Sequence, residues 1–168
     1  MRIFLMGFMG SGKSTIGKHL APELLLDFTD LDNYIIKKHN KNINEIFEQE
    51  GEQLFRIYER RALHDMFLKK NCIVGLGGGT PCFFDNVKQI NENGVSFYFK
   101  LKPETLITRL RHAQSERPLI KGKTQDELLA FVQKMITMRE KFYNQATYVL
   151  DCDTLTLADE IKFIMENI

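Results

Sequence analysis

The sequence predicts an α/β fold. Two observations carry that reading. Short apolar runs alternate with longer amphipathic segments along the 168 residues, and the first run leads into a glycine-rich stretch, "GFMGSGKST" (Gly7 to Thr15), that is followed by helix formers. A chain of this length can bury about 70% of its unfolded surface around one sizeable core, so a single domain over 1–168 is expected.

Taken in order, "RIFLM" is a buried strand and "KSTIGKHLAPEL" the helix after it, with Pro22 closing or kinking that helix. "LLLDF" is the second strand. From Leu31 to about Lys70 the pattern is helical, with a break near "HNKN" at residues 39–42. "CIVGL", "VSFYFKL" and "YVLD" supply the third, fourth and fifth strands, and helices fit 84–93, 103–112 and 124–145. Thr156 and Asp159 form a capping box that opens the last helix, where Ile161, Ile164, Met165 and Ile168 share one face. No internal repeat, low-complexity tract or inter-domain linker interrupts the pattern.

Composition narrows the function classes. Lys+Arg of 23 against Asp+Glu of 22 leaves a net charge of +1, so no global field draws the chain to nucleic acid or to an anionic membrane. Small-molecule partners and a monomer are expected. Cys72, Cys82 and Cys152 lack the close pairing with histidine that zinc requires, and are read as reduced thiols. The apolar start is too short for a signal-peptide core or a membrane span, which points to a soluble, cytoplasmic protein.

Gly7, Gly12, Lys13 and Ser14 satisfy G-x-x-x-x-G-K-[ST] between a strand and a helix. Glycines let successive N–H groups turn inward, and the helix start adds its positive end. Gly10, Ser11, Gly12, Lys13, Ser14 and Thr15 are therefore the expected ATP-binding stretch. Lys13 can reach the β- and γ-phosphates, and the Ser14 hydroxyl can ligate Mg²⁺. A plain strand-to-helix turn would not require Lys then Ser.

Other stretches allow two readings each. In "FTDLD", Asp30 and Asp32 should emerge beside the loop on one side of an extended segment, one serving the metal shell and the other a substrate hydroxyl; both could equally cap a helix. Arg56 lies four residues after Glu52 and three before Glu59, the spacing of ordinary ion pairs on a helix surface. Gly77, Gly78 and Gly79 end a strand, as a flexible turn or as a place where a ligand meets the backbone. Between Arg109 and Lys123, Arg117 sits in a basic stretch that is either a charged loop or a lid over the transferring phosphate. Arg139, on a late helix, could simply be solvated.

Together, "GFMGSGKST", "FTDLD", "IFEQEGEQLFRIYE", "GLGGGT", "ERPLI" and "REKFY" resemble the shikimate kinases in order and approximate spacing, through nearly the whole chain. The resemblance implies a three-layer P-loop kinase fold, with a five-stranded parallel sheet flanked by helices. It also implies a substrate-binding helical region at about 31–61 and a mobile lid at about 111–124. The implied reaction moves the γ-phosphate of ATP to the 3-hydroxyl of shikimate, in the route to aromatic amino acids. By position, Lys13 and Ser14 hold phosphate and Mg²⁺, Asp30 supports the metal through water, and Asp32 contacts substrate hydroxyls. Arg56 and Arg139 grip the shikimate carboxylate beside Gly77, Gly78 and Gly79, and Arg117 is the lid arginine. Arg109 falls near the adenine, with Arg111 as a competitor, and Asp153 and Thr154 lie in the adenine loop. Cys82 and Phe83 have no assigned role. A related kinase, such as a gluconate kinase, or a nucleotide-binding module without transfer would share the phosphate loop.

Overall fold

The computed structural model describes residues 1–112 and 122–168, apart from the side chain of residue 112, and it alternates strand and helix as the hydrophobic pattern requires. The elements are β1 (Arg2–Met6), α1 (Lys13–Leu24), β2 (Asp27–Asp30), α2 (Leu31–His39), α3 (Ile43–Leu68) and β3 (Cys72–Gly75). A short 3-10 turn (Thr80–Cys82) then leads to α4 (Asn86–Asn93), β4 (Val95–Lys100), α5 (Pro103–His112), α6 (Gln125–Tyr143), β5 (Tyr148–Asp151) and α7 (Leu157–Glu166).

The strands form one parallel sheet in the order β2-β3-β1-β4-β5. Helices cover both faces, so the strands read as continuous apolar runs. Successive side chains of β1 point to opposite faces. Ile3 and Leu5 join Ile16, Leu20, Phe97, Leu106 and Val132 in one core, whereas Phe4 and Met6 join Leu31, Ile35, Leu63, Met66 and Ile90 in the other. From β1 the chain passes to β2 and β3 on one side of the sheet and then crosses to β4 on the other. The carboxyl end of β1 is thus the switch point where ligands of such sheets bind. Among the described residues no helix is long and apolar enough to cross a membrane.

Several boundaries differ from the sequence expectation. "LLLDF" overlaps the second strand only at Asp27 and Phe28: Leu24 closes α1, Leu25 adopts a left-handed conformation (φ 53°) at 92% exposure, and β2 begins at Asp27. Pro22 lies inside α1, which ends two residues later. Asp32 belongs to the first turn of α2 rather than to an extended segment. The helix expected over 84–93 starts at Asn86, because Phe84 has φ 53°. Gly51, at φ 84° and ψ 163°, kinks α3 into two helical pieces. In α7 the capping box forms and Ile164 is buried, but Met165 and Ile168 are 43% and 36% exposed. Ile168 lies past the end of α7 at Glu166, so the helical period does not govern it.

Candidate active site

The loop after β1 is shaped by left-handed glycines, Gly10 at φ 81° and Gly12 at φ 96°, conformations that L side chains rarely adopt. Lys13 is 9% exposed, and its ammonium donates to the Gly7 and Phe8 carbonyls at 2.8 Å each and to Ser11 Oγ at 3.4 Å. A buried ammonium needs such acceptors. They hold the charge beside the glycine loop at the start of α1, where the Ser11 N–H donates to the Phe8 carbonyl at 3.2 Å.

Ser14 Oγ donates to Asp30 Oδ2 at 2.8 Å, while Asp30 Oδ1 accepts from the backbone N–H of Asn33 at 3.1 Å. Both sequence readings of Asp30 therefore hold at once, as the cap of α2 and as the carboxylate beside the Ser14 hydroxyl. Asp32 lines the same cleft of about 310 Å³ as Lys13, Ser14 and Asp30. The break between β2 and α2, rather than an extended register, brings the two acids together.

Gly77, Gly78 and Gly79 are selected by space. None of them has positive φ. A Cβ on Gly77 would stand 2.7 Å from Asp32 Oδ1, one on Gly78 would stand 3.2 Å from Arg139 Nη1, and one on Gly79 would stand 2.5 Å from Arg56 Nη1. Three charged side chains from α2, α6 and α3 thus converge on one glycine strip at the end of β3.

Both ion pairs expected around Arg56 form, at 2.9 Å to Glu52 and 2.9 Å to Glu59. They do not leave Arg56 on an open surface: its side chain is 11% exposed and that of Glu59 only 1%. The guanidinium lies 4.0 Å from the ring centroid of Phe83 and 5.1 Å from that of Phe55, close enough for cation–π attraction. Glu59 also accepts from Thr80 Oγ1 at 2.6 Å, tying α3 to the turn after the glycines. Arg139 lies 5.6 Å from the Phe8 ring centroid. Tyr143, fully buried on the same helix, donates its hydroxyl to the Gly78 carbonyl. Sequence reasoning missed Glu59, Thr80, Phe83 and Tyr143 as supports, and only the i,i+3 spacing of Arg56 and Glu59 hinted at one of them. Cys82 ends the short turn after the glycines, and burial pushes its thiol up to about 11, which keeps it protonated.

Arg109, expected near the adenine, approaches the Ser11 carbonyl at 3.4 Å and lines the cleft beside the loop. Its competitor Arg111 donates instead to Gln125 Oε1 at 3.2 Å, away from the loop. Asp153 accepts from the Lys102 N–H at 3.0 Å and from Thr105 Oγ1 at 2.7 Å, so it caps the start of α5, the helix that carries Arg109. Arg117 and most of the expected lid lie outside the described residues.

A glycine loop with a buried lysine and a hydroxyl–carboxylate pair, at the switch point of a parallel sheet, defines a P-loop phosphotransferase. A family model described as shikimate kinase matches residues 9–167. A curated shikimate kinase from Bacteroides fragilis is 40% identical over 168 residues, covering 100% of this chain and 94% of the relative. The crystal structure of a shikimate kinase from Bacteroides thetaiotaomicron superposes with a TM-score of 0.95 at 37% identity, covering 99% of this chain and 97% of that one. A shikimate kinase from Acinetobacter baumannii in complex with shikimate gives a TM-score of 0.88 at 28% identity, over 99% and 91% of the two chains. The chain belongs to the shikimate kinase family, and it is an ATP-dependent kinase that phosphorylates shikimate.

Proposed function

We propose that the chain transfers the γ-phosphate of ATP to the 3-hydroxyl of shikimate with the following division of labour. The loop amides from Gly10 to Thr15 and the Lys13 ammonium hold the phosphates. Ser14 and Asp30 would hold Mg²⁺: a hydroxyl and a carboxylate oxygen 2.8 Å apart are the hard donors that this ion prefers, with water and phosphate completing its shell. Bound there, Mg²⁺ would neutralise charge on the phosphates. Asp32 accepts a hydrogen bond from the 3-hydroxyl and aims it at the phosphorus. A loose transition state asks for alignment more than for full removal of the proton. Arg56 and Arg139 bind the carboxylate with forked donors, and Gly77, Gly78 and Gly79 let substrate and arginines share one strip. Arg109 lies against the base, Asp153 acts through α5, and Arg117 covers the transferring phosphate from the lid at about 111–124. In this reading one domain over 1–168, with its substrate helices at about 31–61, works as a cytoplasmic monomer on small-molecule substrates in aromatic amino acid synthesis.

The observation that carries the reading is the glycine strip, because it gathers one carboxylate and two guanidiniums beside the phosphate loop. A planar carboxylate and neighbouring hydroxyls match that set. Lysine keeps the charge of arginine but lacks its fork. Arg56→Lys and Arg139→Lys are each expected to weaken shikimate binding by about tenfold or more in calorimetry, since hydrogen bonds to charged groups are worth about 1.5–3 kcal/mol. Unchanged affinity in both variants would make the two arginines structural.

A further inference from the structure

A second groove, of about 270 Å³, shares Gly10, Gly12 and Arg109 with the phosphate cleft and runs on to Leu157 and Glu160 of α7. Glu160 is 5% exposed. It stands in the first turn of α7, where the helix dipole favours an acid. Yet Asp159, beside it, already serves the capping box with Thr156. Among the described residues the Cys152 thiol, a weak donor, and Arg109 favour the ionised form of Glu160 through their proximity, and the thiol proton is directed to the Leu150 carbonyl at 3.5 Å. Burying a carboxylate is costly unless strong donors meet it. The carboxylate lines the groove, where a donor on whatever fills it can meet the oxygens.

The phosphate loop fixes which end of ATP lies where. In the reading proposed above, with the triphosphate on the loop, the nucleoside would extend into the groove that Gly10, Gly12 and Arg109 share with the phosphate cleft. Adenine carries an N–H donor in its exocyclic amine, and its face suits a guanidinium. We propose that Glu160 is a specificity-determining residue that accepts a hydrogen bond from the exocyclic amine of the adenine base, across the groove from Arg109. This inference rests on the reading that Arg109 marks the nucleoside side.

The test compares ATP with purine riboside triphosphate, the same nucleotide without the amine. It measures kcat/KM for the wild type, Glu160→Gln, Glu160→Ala and Arg109→Ala. Calorimetry with the two corresponding diphosphates gives a readout that needs no transfer, and thermal melts check folding. The wild type is expected to prefer ATP by about tenfold or more, as a hydrogen bond to a charged acceptor allows. Glu160→Gln keeps a neutral acceptor and should retain part of that preference, while Glu160→Ala should bring the two nucleotides within about twofold. If both Glu160 variants keep the wild-type preference while Arg109→Ala raises KM for ATP, Glu160 does not read the base and the inference falls alone. If Arg109→Ala also leaves KM for ATP unchanged, the base lies elsewhere and the underlying reading falls with it.

Discussion

At the scale of single residues, the site depends on what is missing as much as on what is present. Gly79 leaves room for the Arg56 guanidinium, which is held by Glu59, Glu52 and the Phe83 ring. With its fork pinned on both sides, Arg56 has little freedom to retreat. A Cβ added at Gly79 would meet it at 2.5 Å, so Gly79→Ala is expected to push the guanidinium out of register. The effect should appear as a rise in KM for shikimate of about tenfold, with KM for ATP nearly unchanged, since misplacing a binding group by about 1 Å can cost as much as 10²-fold. Equal changes in both KM values would place the damage in the loop rather than in the arginine. Lys13 and Ser14 were legible in the sequence because they stand at motif positions beside glycines, whereas Arg56 and Arg139 were singled out only by the family resemblance, their own spacing suggesting a surface ion pair and a solvated side chain. Phe83 and Tyr143 were not legible. An aromatic that supports an arginine carries no spacing signal distinct from that of an aromatic in a core, and only the packing tells the two apart.

At the scale of elements, strands buried on both faces were read correctly because long apolar runs have no other place in a sheet covered by helices. The error at β2 has a physical cause. "LLL" is apolar, but Leu24 and Leu25 end α1 through a left-handed turn, and apolarity alone does not distinguish a helix end from a strand start. What secures β2 lies farther away: the Phe28 ring sits against Gly17 of α1 and Gly75 of β3. A Cβ at Gly17 would fall 2.2 Å from that ring. Gly17→Ala should therefore overpack the α1–β2 seam at a cost of about 1–3 kcal/mol, although alanine suits a helix better than glycine. In a chain of this size the melting temperature should drop by about 2–4 °C per kcal/mol. Asp30 ends the displaced strand and holds Ser14, so kcat should fall as well, as thermal melts and a coupled ADP-release assay would show. A variant that melts higher than the wild type would mean that the ring moves aside freely.

At the scale of the whole molecule, the sheet order brings the loop after β1, the acids at the β2–α2 junction and the glycines after β3 to the carboxyl edge of the sheet. The fold thereby concentrates charge where little water reaches, and Glu160 is the clearest expense. Burial, the largest cause, pushes its carboxyl above the ordinary value of 4.5, and Asp159 pushes in the same direction. The Cys152 thiol and Arg109 act against the rise without cancelling it. A carboxyl whose folded-state value lies above its unfolded one is favoured by folding in its protonated form. That stabilisation is fully present below the unfolded value and is lost as pH rises through the folded one. At neutral pH the ionised group is therefore a cost to the fold, retained in our reading because the base groove uses it, as strained functional sites often are. Glu160→Gln removes the ionisation while keeping the shape. Its melting temperature should exceed that of the wild type at about pH 8, and the difference should shrink toward zero near pH 4, where both side chains are neutral. Melts of the two proteins across that range, without nucleotide, provide the measurement. A gain confined to the acidic end, or no gain at pH 8, would mean that the carboxylate is already satisfied by the protein and asks nothing of a ligand.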